Sequence, residues 1–270
     1  MPEIDVNDTT LYYERSGHGP GVLFVHGMCG HADVWADQAE RFSDRYTCVR
    51  HDRRGHSRSA RGDAPITTTQ HANDAAAIIE ALDLAPCQVV GSSSGAVIAV
   101  DLALRYGGLL RGVVLSEPPL FSLDPEAGRA AMSELMPRID DAIASGGIRA
   151  AVDAFMSFAC SEAWSMLDED RKDRLRDNAE IGFTDLQSPP LDVGPADLAA
   201  IRVPALVVAG TTSVPGLRSV ARRLAAALPD ARFVEIAGGH VPYLENPETF
   251  AHAVSVFAAE LDRRAPVPSS

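Results

Sequence analysis

The stretch "CQVVGSSSGAVIAV", residues 87–100, decides how the rest of the chain is read. Its centre, Gly91-Ser92-Ser93-Ser94-Gly95, has the composition of a flexible linker. Its flanks do not. The apolar run "CQVV" precedes it, and "AVIAVDLALRY", with apolar residues at helical spacing, follows it directly. A linker joins elements that need slack, whereas here a buried-type strand runs straight into a buried-type helix. The spacing Gly91-x-Ser93-x-Gly95 fits a nucleophile elbow, a strained strand-to-helix turn that lifts the central serine above a sheet. Glycine is needed two residues to either side because strand and helix crowd together there. Only Ser93 meets that condition: Ser92 would need glycine where Val90 and Ser94 stand, and Ser94 where Ser92 and Ala96 stand. The similar run Gly55-His56-Ser57-Arg58-Ser59 lacks the second glycine and starts no helix, so it is a structural turn.

Outward from the elbow, short β-branched runs alternate with helical patterns. "TTLYYE", "GVLFVHG", "YTCVRHD", "RGVVLSE", "VPALVVAG" and "ARFVEIAG" are the other strands, and the middle ones are continuously apolar, as parallel strands covered on both faces are. Helices are expected at 31–43, 67–84, 94–106, 214–228 and 247–263. This alternation predicts an α/β fold with a mostly parallel, doubly wound sheet. From about 118 to 198 the rhythm breaks into successive helical patterns without a strand. That segment is expected to be a helical cap at 118–198, inserted between strands six and seven of a core formed by 1–117 and 199–264. Residues 265–270, "APVPSS", are expected to fray. Within the insertion Met132, Leu135, Met136, Phe155, Met156, Phe158 and Trp164 either face a substrate pocket or pack the insertion onto the sheet; helical spacing fits both.

The 270 residues are 46% hydrophobic and 23% charged, an ordinary globular balance. A net charge of −13 argues against nucleic acid as a partner. The one basic stretch, "RHDRRGHSRSARG" at 50–62, is expected to be a solvated loop with its arginines in ion pairs. Cys29, Cys48, Cys87 and Cys160 have no metal-ligand spacing, so no metal is expected. The N-terminus has no targeting pattern and no apolar run reaches membrane-spanning length. The expectation is a soluble, cytoplasmic protein with neither membrane nor nucleic-acid partner, and no pattern speaks to its oligomeric state.

A serine hydroxyl is barely nucleophilic at neutral pH and needs a base. Of eight histidines, His26, His51 and His56 sit at strand ends. His240, in "EIAGGHVPYLENPETF", lies in a glycine-rich loop after the last strand. That is the carboxyl edge of the sheet, where sites in open α/β folds form, and it selects His240.

The motifs "HGMCG", "DRRGHSRS", "GSSSGA" and "GGHVPYLENPETF" occur in an order and strand context that resembles the α/β-hydrolase family over nearly the whole chain. The resemblance implies Ser93 as nucleophile, His240 as base, and the backbone N–H groups of Met28 and Ser94 as an oxyanion hole. One departure stands out. Most members carry an aspartate after strand seven, but here "ALVVAG" is followed by Thr211-Thr212-Ser213, and no acid appears before Asp230. Glu117, just past strand six, stands where haloalkane dehalogenases and zearalenone-type lactone hydrolases place their acid. The lactone hydrolases are similar also in "SSGA" and in an "H-x-P-Y…P-E-x-F" segment. Glu117 is therefore the expected triad acid, the other reading being a structural carboxylate that bonds the first turn of the insertion. Dehalogenases and epoxide hydrolases carry aspartate where Ser93 stands, which sets them aside.

The implied activity is a serine hydrolase that cleaves an apolar or amphipathic carboxylic ester or lactone through an acyl-enzyme, without cofactor or metal. The acid placement tilts this toward a lactone. The alternatives are a cofactor-free lyase, oxygenase or perhydrolase on the same scaffold, or a small-molecule receptor with slow turnover. Cys29, inside the oxyanion loop, is either reactive or quietly packed.

Overall fold

In the computed structural model, which describes residues 2–264, the β-branched runs form eight strands: β1 (Glu3–Val6), β2 (Thr9–Ser16), β3 (Gly21–Val25), β4 (Thr47–His51), β5 (Cys87–Ser92), β6 (Leu110–Ser116), β7 (Ala205–Gly210) and β8 (Ala231–Ile236). The expected fraying of 265–270 lies outside the described residues. The strands make one sheet in the order β1-β2-β4-β3-β5-β6-β7-β8. β1 pairs antiparallel with β2 and β2 with β4; every later pairing is parallel. β1 alternates polar and apolar residues over only four positions, with a single buried residue, which is too short a run to stand out in sequence, and it was not among the expected strands.

Helices follow the strands as α1 (Ala36–Phe42), α2 (Thr68–Ala81), α3 (Ser94–Arg105), α4 (Pro125–Ala159), α5 (Ser161–Met166), α6 (Glu169–Asp177), α7 (Ala179–Gln187), α8 (Pro195–Ala200), α9 (Pro215–Ala227), α10 (Pro242–Glu245) and α11 (Pro247–Arg264). The helices α4 to α8 fill most of the interval between β6 and β7, and α4 bends at Gly147, whose φ is 77°.

Alternation along the inner strands sends side chains to two cores. Leu23, Val25 and Val89 meet Ile79 of α2, Leu102 of α3 and Val220 and Leu224 of α9 on one face. Val22, Phe24, Val90 and Val114 meet Trp35, Phe42 of α1 and Phe250, Val254 and Phe257 of α11 on the other. Burying each side chain of this size stabilises the fold by about 1.5–3 kcal/mol, so the continuous apolar runs define a sheet that must be covered on both sides. A third cluster, with Leu135, Val152, Trp164, Leu175 and Phe183, holds the inserted helices to one another and reaches Cys29.

In the arginine-rich stretch 50–62, Arg50, Arg53, Arg54 and Arg58 are ion-paired as expected, but Arg53 and Arg54 are buried rather than solvated, while Arg61 is exposed. Arg54 is fully buried and bonds Asp74 through Nε (2.7 Å) and Nη2 (2.9 Å), and Asp8 through Nη2 (2.9 Å). Arg58 reaches Asp52 (2.6 Å) and Asp33 (3.0 Å). Arg53 is 2% exposed. A buried guanidinium without a carboxylate costs several kcal/mol, and that cost sets the pairing. Among the described residues no helix is long and apolar enough to cross a membrane.

Candidate active site

Ser93 stands between β5 and α3 with φ 54° and ψ −123°, a left-handed backbone that a non-glycine residue adopts only under tertiary constraint. Its own N–H donates to the carbonyl of Ser116 on β6 (2.9 Å), and its carbonyl accepts from Ala96 (2.9 Å). The turn closes because its neighbours have no side chains. A Cβ on Gly91 would lie 2.3 Å from the Gly95 carbonyl oxygen, and one on Gly95 would lie 2.2 Å from that of Val25. Ser94 is the first residue of α3, where backbone N–H groups have no intrahelical acceptor.

His240 lies after β8, 3% exposed, and its Nδ1 is 2.7 Å from Glu117 Oε2. A carboxylate only accepts, so Nδ1 carries the hydrogen and Nε2 is left facing away from the acid. Glu117 itself is completely buried just past β6, with φ 48°. Its Oε1 accepts the Gly210 N–H (2.7 Å) and its Oε2 also accepts the Ser213 hydroxyl (2.5 Å). Ser213, at the position where the family pattern has its acid, is thus a ligand of the acid on the neighbouring strand. That role was not legible in sequence. The other reading of Glu117, a bond to the first turn of the insertion, finds no support: its partners are Gly210, Ser213 and His240.

Two cavities meet at this point. One, of about 450 Å³, is walled by Ala36, Trp164, Leu167, Arg174 and Leu244 among others. The other, of about 810 Å³, is walled mainly by apolar side chains, including Val97, Leu120, Phe121, Leu191 and Leu217. Met28, Ser93, Phe155 and His240 line both. Of the pocket residues expected in the insertion, Met132, Leu135 and Phe158 line the wide cavity, Met156 and Trp164 the narrow one, and Phe155 both. Met136 lines neither. It is 38% exposed on the solvent side of α4, because a helix buries one stripe and Met136 falls off it. Val97 and Leu217 escaped the sequence reading because they belong to sheet-packing helices whose spacing gives no sign of a cavity.

Burial sets the state of the titratable groups around the site. Cys29 is completely buried and its thiol is pushed up to about 12, so it is a packed, protonated thiol and not a reactive one. His26 and His56, beside the loop 27–30, are held well below the usual imidazole range by burial first and by the positive Arg53 second. They are neutral scaffold groups. Among the described residues no cluster of His, Cys, Asp or Glu has the arrangement to hold a metal ion.

Comparison with known proteins agrees with this architecture. The model of the Alpha/beta hydrolase family matches residues 22–253. The uncharacterized hydrolase YraK of Bacillus subtilis (strain 168) is 37% identical over 122 residues, which is 44% of this chain and 45% of that protein. The putative carbamate hydrolase RutD of Azorhizobium caulinodans is 26% identical over 278 residues, covering 97% of this chain and 100% of that protein. The crystal structure of the enol-lactonase from Burkholderia xenovorans LB400 superposes with a TM-score of 0.78 at 24% identity, covering 96% of this chain and 100% of that one, a likeness of fold. The chain belongs to the alpha/beta hydrolase family and is a hydrolase of that fold.

Proposed function

We propose that the protein is a serine hydrolase acting on open-chain carboxylic esters with apolar arms, through a Ser93–His240–Glu117 triad. The observation that carries this is the 2.7 Å pairing of His240 Nδ1 with Glu117, on a histidine that shares two cavities with the elbow serine. His240 Nε2 takes the hydroxyl proton as Ser93 Oγ attacks the carbonyl carbon. The oxyanion is received by the N–H groups of Met28 and Ser94. Collapse of the tetrahedral adduct expels the alcohol, which leaves with the proton from His240. A water then gives its proton to His240, attacks the acyl carbon and releases the acid, regenerating Ser93. Glu117 holds the imidazole in the required tautomer and faces its charge when it is protonated.

The two-chambered shape favours an ester over the lactone suggested by the acid placement. Each chamber is within the 300–1,000 Å³ range of small-molecule sites, and Ser93 stands at their junction. A bond broken there leaves one product in each chamber, which suits two separate arms; a compact lactone ring fills one side only. The apolar wall of the wide chamber supports the larger, hydrocarbon-rich arm there. A carbamate is the second reading, since a full-length relative bears that name, and the same acyl-transfer chemistry serves it.

Fluorophosphonate labelling with peptide mapping tests the assignment. The expected result is label on Ser93 in the unmodified chain, formed much more slowly in Glu117→Gln. Absence of label on Ser93 would end the serine-hydrolase reading and bring the small-molecule receptor forward. A paired screen of esters, lactones and carbamates then decides the substrate class.

A further inference from the structure

Asn178, the N-cap of α7, and Gly182 and Asp185 within it follow the spacing i, i+4, i+7, which puts the three on one face. That face lies on the loop 27–30. The Asn178 side chain is buried, and its Nδ2 donates to the carbonyls of Cys29 (3.1 Å) and Gly30 (2.8 Å) while its Oδ1 accepts the Ser57 N–H (2.7 Å). Cys29 and Ser57 both have left-handed backbones, with φ 57° and 45°. One amide therefore ties down two turns that non-glycine residues avoid. A turn further on, Gly182 packs so closely that a Cβ there would stand 2.3 Å from Cys29 Sγ and 3.3 Å from Met28 Cγ. Asp185 pairs with Arg53 Nη1 (2.7 Å) and with His71 Nε2 (3.0 Å). Arg53 in turn donates through Nη2 to the Gly27 carbonyl oxygen (3.2 Å), which also receives the Gly30 N–H (3.1 Å) and lies 2.8 Å from His26 Nδ1.

The Gly27 carbonyl and the Met28 N–H belong to one planar, trans peptide and so point in opposite directions. Whatever grips that oxygen aims that N–H. A charged donor on the oxygen also polarises the amide and makes its N–H a better donor. We infer that α7 is a template for the oxyanion hole, with Asn178 and the Asp185-held Arg53 as positioning residues that aim the Met28 N–H at the carbonyl under attack. This rests on the role proposed above for Met28. It gives the inserted helices a part in the rate of reaction besides enclosing substrate, and it gives the second arginine-rich motif residue, Arg53, a task that ion pairing alone does not explain.

The test uses the full chain with Asn178→Ser, Asn178→Ala and Asp185→Asn. Each protein is titrated to completion with a fluorophosphonate, so that rates refer to folded sites. Turnover is measured with p-nitrophenyl butyrate, and inhibition with a trifluoromethyl ketone, whose adduct with Ser93 places an oxyanion in the hole. The expected result is a fall in kcat on the order of 10–100-fold, KM little changed, and ketone affinity weakened in parallel with kcat/KM. Asn178→Ser, which keeps a small polar group, guards against a variant that does not fold. Variants that melt at lower temperature yet keep kcat and ketone affinity per titrated site would overturn the inference, because α7 would then only be packing. If Ser93 does not label in the unmodified chain, the underlying reading fails and this inference with it; labelling there with kinetically unchanged variants fails the inference alone.

Discussion

At the scale of the residue, the pairing of Glu117 with Ser213 explains how the usual acid position stands without an acid. Two carboxylates, one after β6 and one after β7, would converge on the same imidazole nitrogen and repel each other. A hydroxyl at 213 donates to the Glu117 carboxylate instead. On the proposed assignment, Glu117→Gln lowers kcat by roughly 10³–10⁴, because an amide fixes the wrong tautomer of His240; steady-state kinetics at constant pH checks this, and full activity would remove Glu117 from the triad. Ser213→Ala leaves a buried carboxylate one donor short. It is expected to lower stability by about 1–3 kcal/mol while lowering kcat far less than Glu117→Gln does, as measured by denaturant titration alongside turnover. Ser213→Asp is expected to slow fluorophosphonate labelling of Ser93, and faster labelling would mean that the usual position remains the better one.

At the scale of the element, strand-to-helix crowding at the elbow and the stripe of α4 facing the wide cavity make separable predictions. Gly95→Ala forces a Cβ to 2.2 Å from a backbone oxygen of β3, and backbone cannot rotate aside as a side chain can. The expected outcome is loss of about 3 kcal/mol of stability or more, at the upper end for overpacking because the obstacle is backbone, or no soluble protein, read from expression and thermal melts. Ala131, in α4, is buried and lines only the wide cavity. Ala131→Phe is expected to cut kcat/KM for long-armed esters by tenfold or more, roughly the 1–3 kcal/mol that lost or blocked apolar contacts are worth, while p-nitrophenyl acetate is turned over unchanged. Equal losses for short and long esters would contradict the two-arm reading. The elbow's helix and strand were legible because both are strongly periodic and meet at two glycines. The wide cavity was not, since a residue that lines a cavity and one that packs a core have the same spacing.

At the scale of the whole molecule, five buried histidines tie stability to pH. His26, His31, His51, His56 and His71 are all held below the usual imidazole range, with burial as the first cause. Their unfolded forms take up protons near pH ~6.5 while the folded forms resist, so below that pH the unfolded state binds more protons and stability falls. His51, with its value lowered to about 4, contributes a slope of up to ~1.4 kcal/mol per pH unit between those two limits. The others steepen it. Thermal melts at constant ionic strength are expected to show a melting temperature that drops continuously from pH 7 to pH 5, and a flat profile would mean that these histidines are charged or exposed in the fold.

Periodicity, turn chemistry and motif order were enough to identify the α/β sheet, its elbow at Ser93, the helical interval before β7 and the histidine after β8, because each depends on residues close together in the chain. The placement of Glu117 was legible only as a vacancy filled from the next strand. What tertiary structure alone decided are relations between distant segments. Ser213 bonds an acid 96 residues away. Asn178 bonds backbone carbonyls 149 and 148 residues away. Arg53, just after β4, meets Asp185 of α7. Local pattern reports which face of an element is apolar; which polar groups meet inside is set by how the elements pack, and a sequence read one segment at a time does not contain that distance.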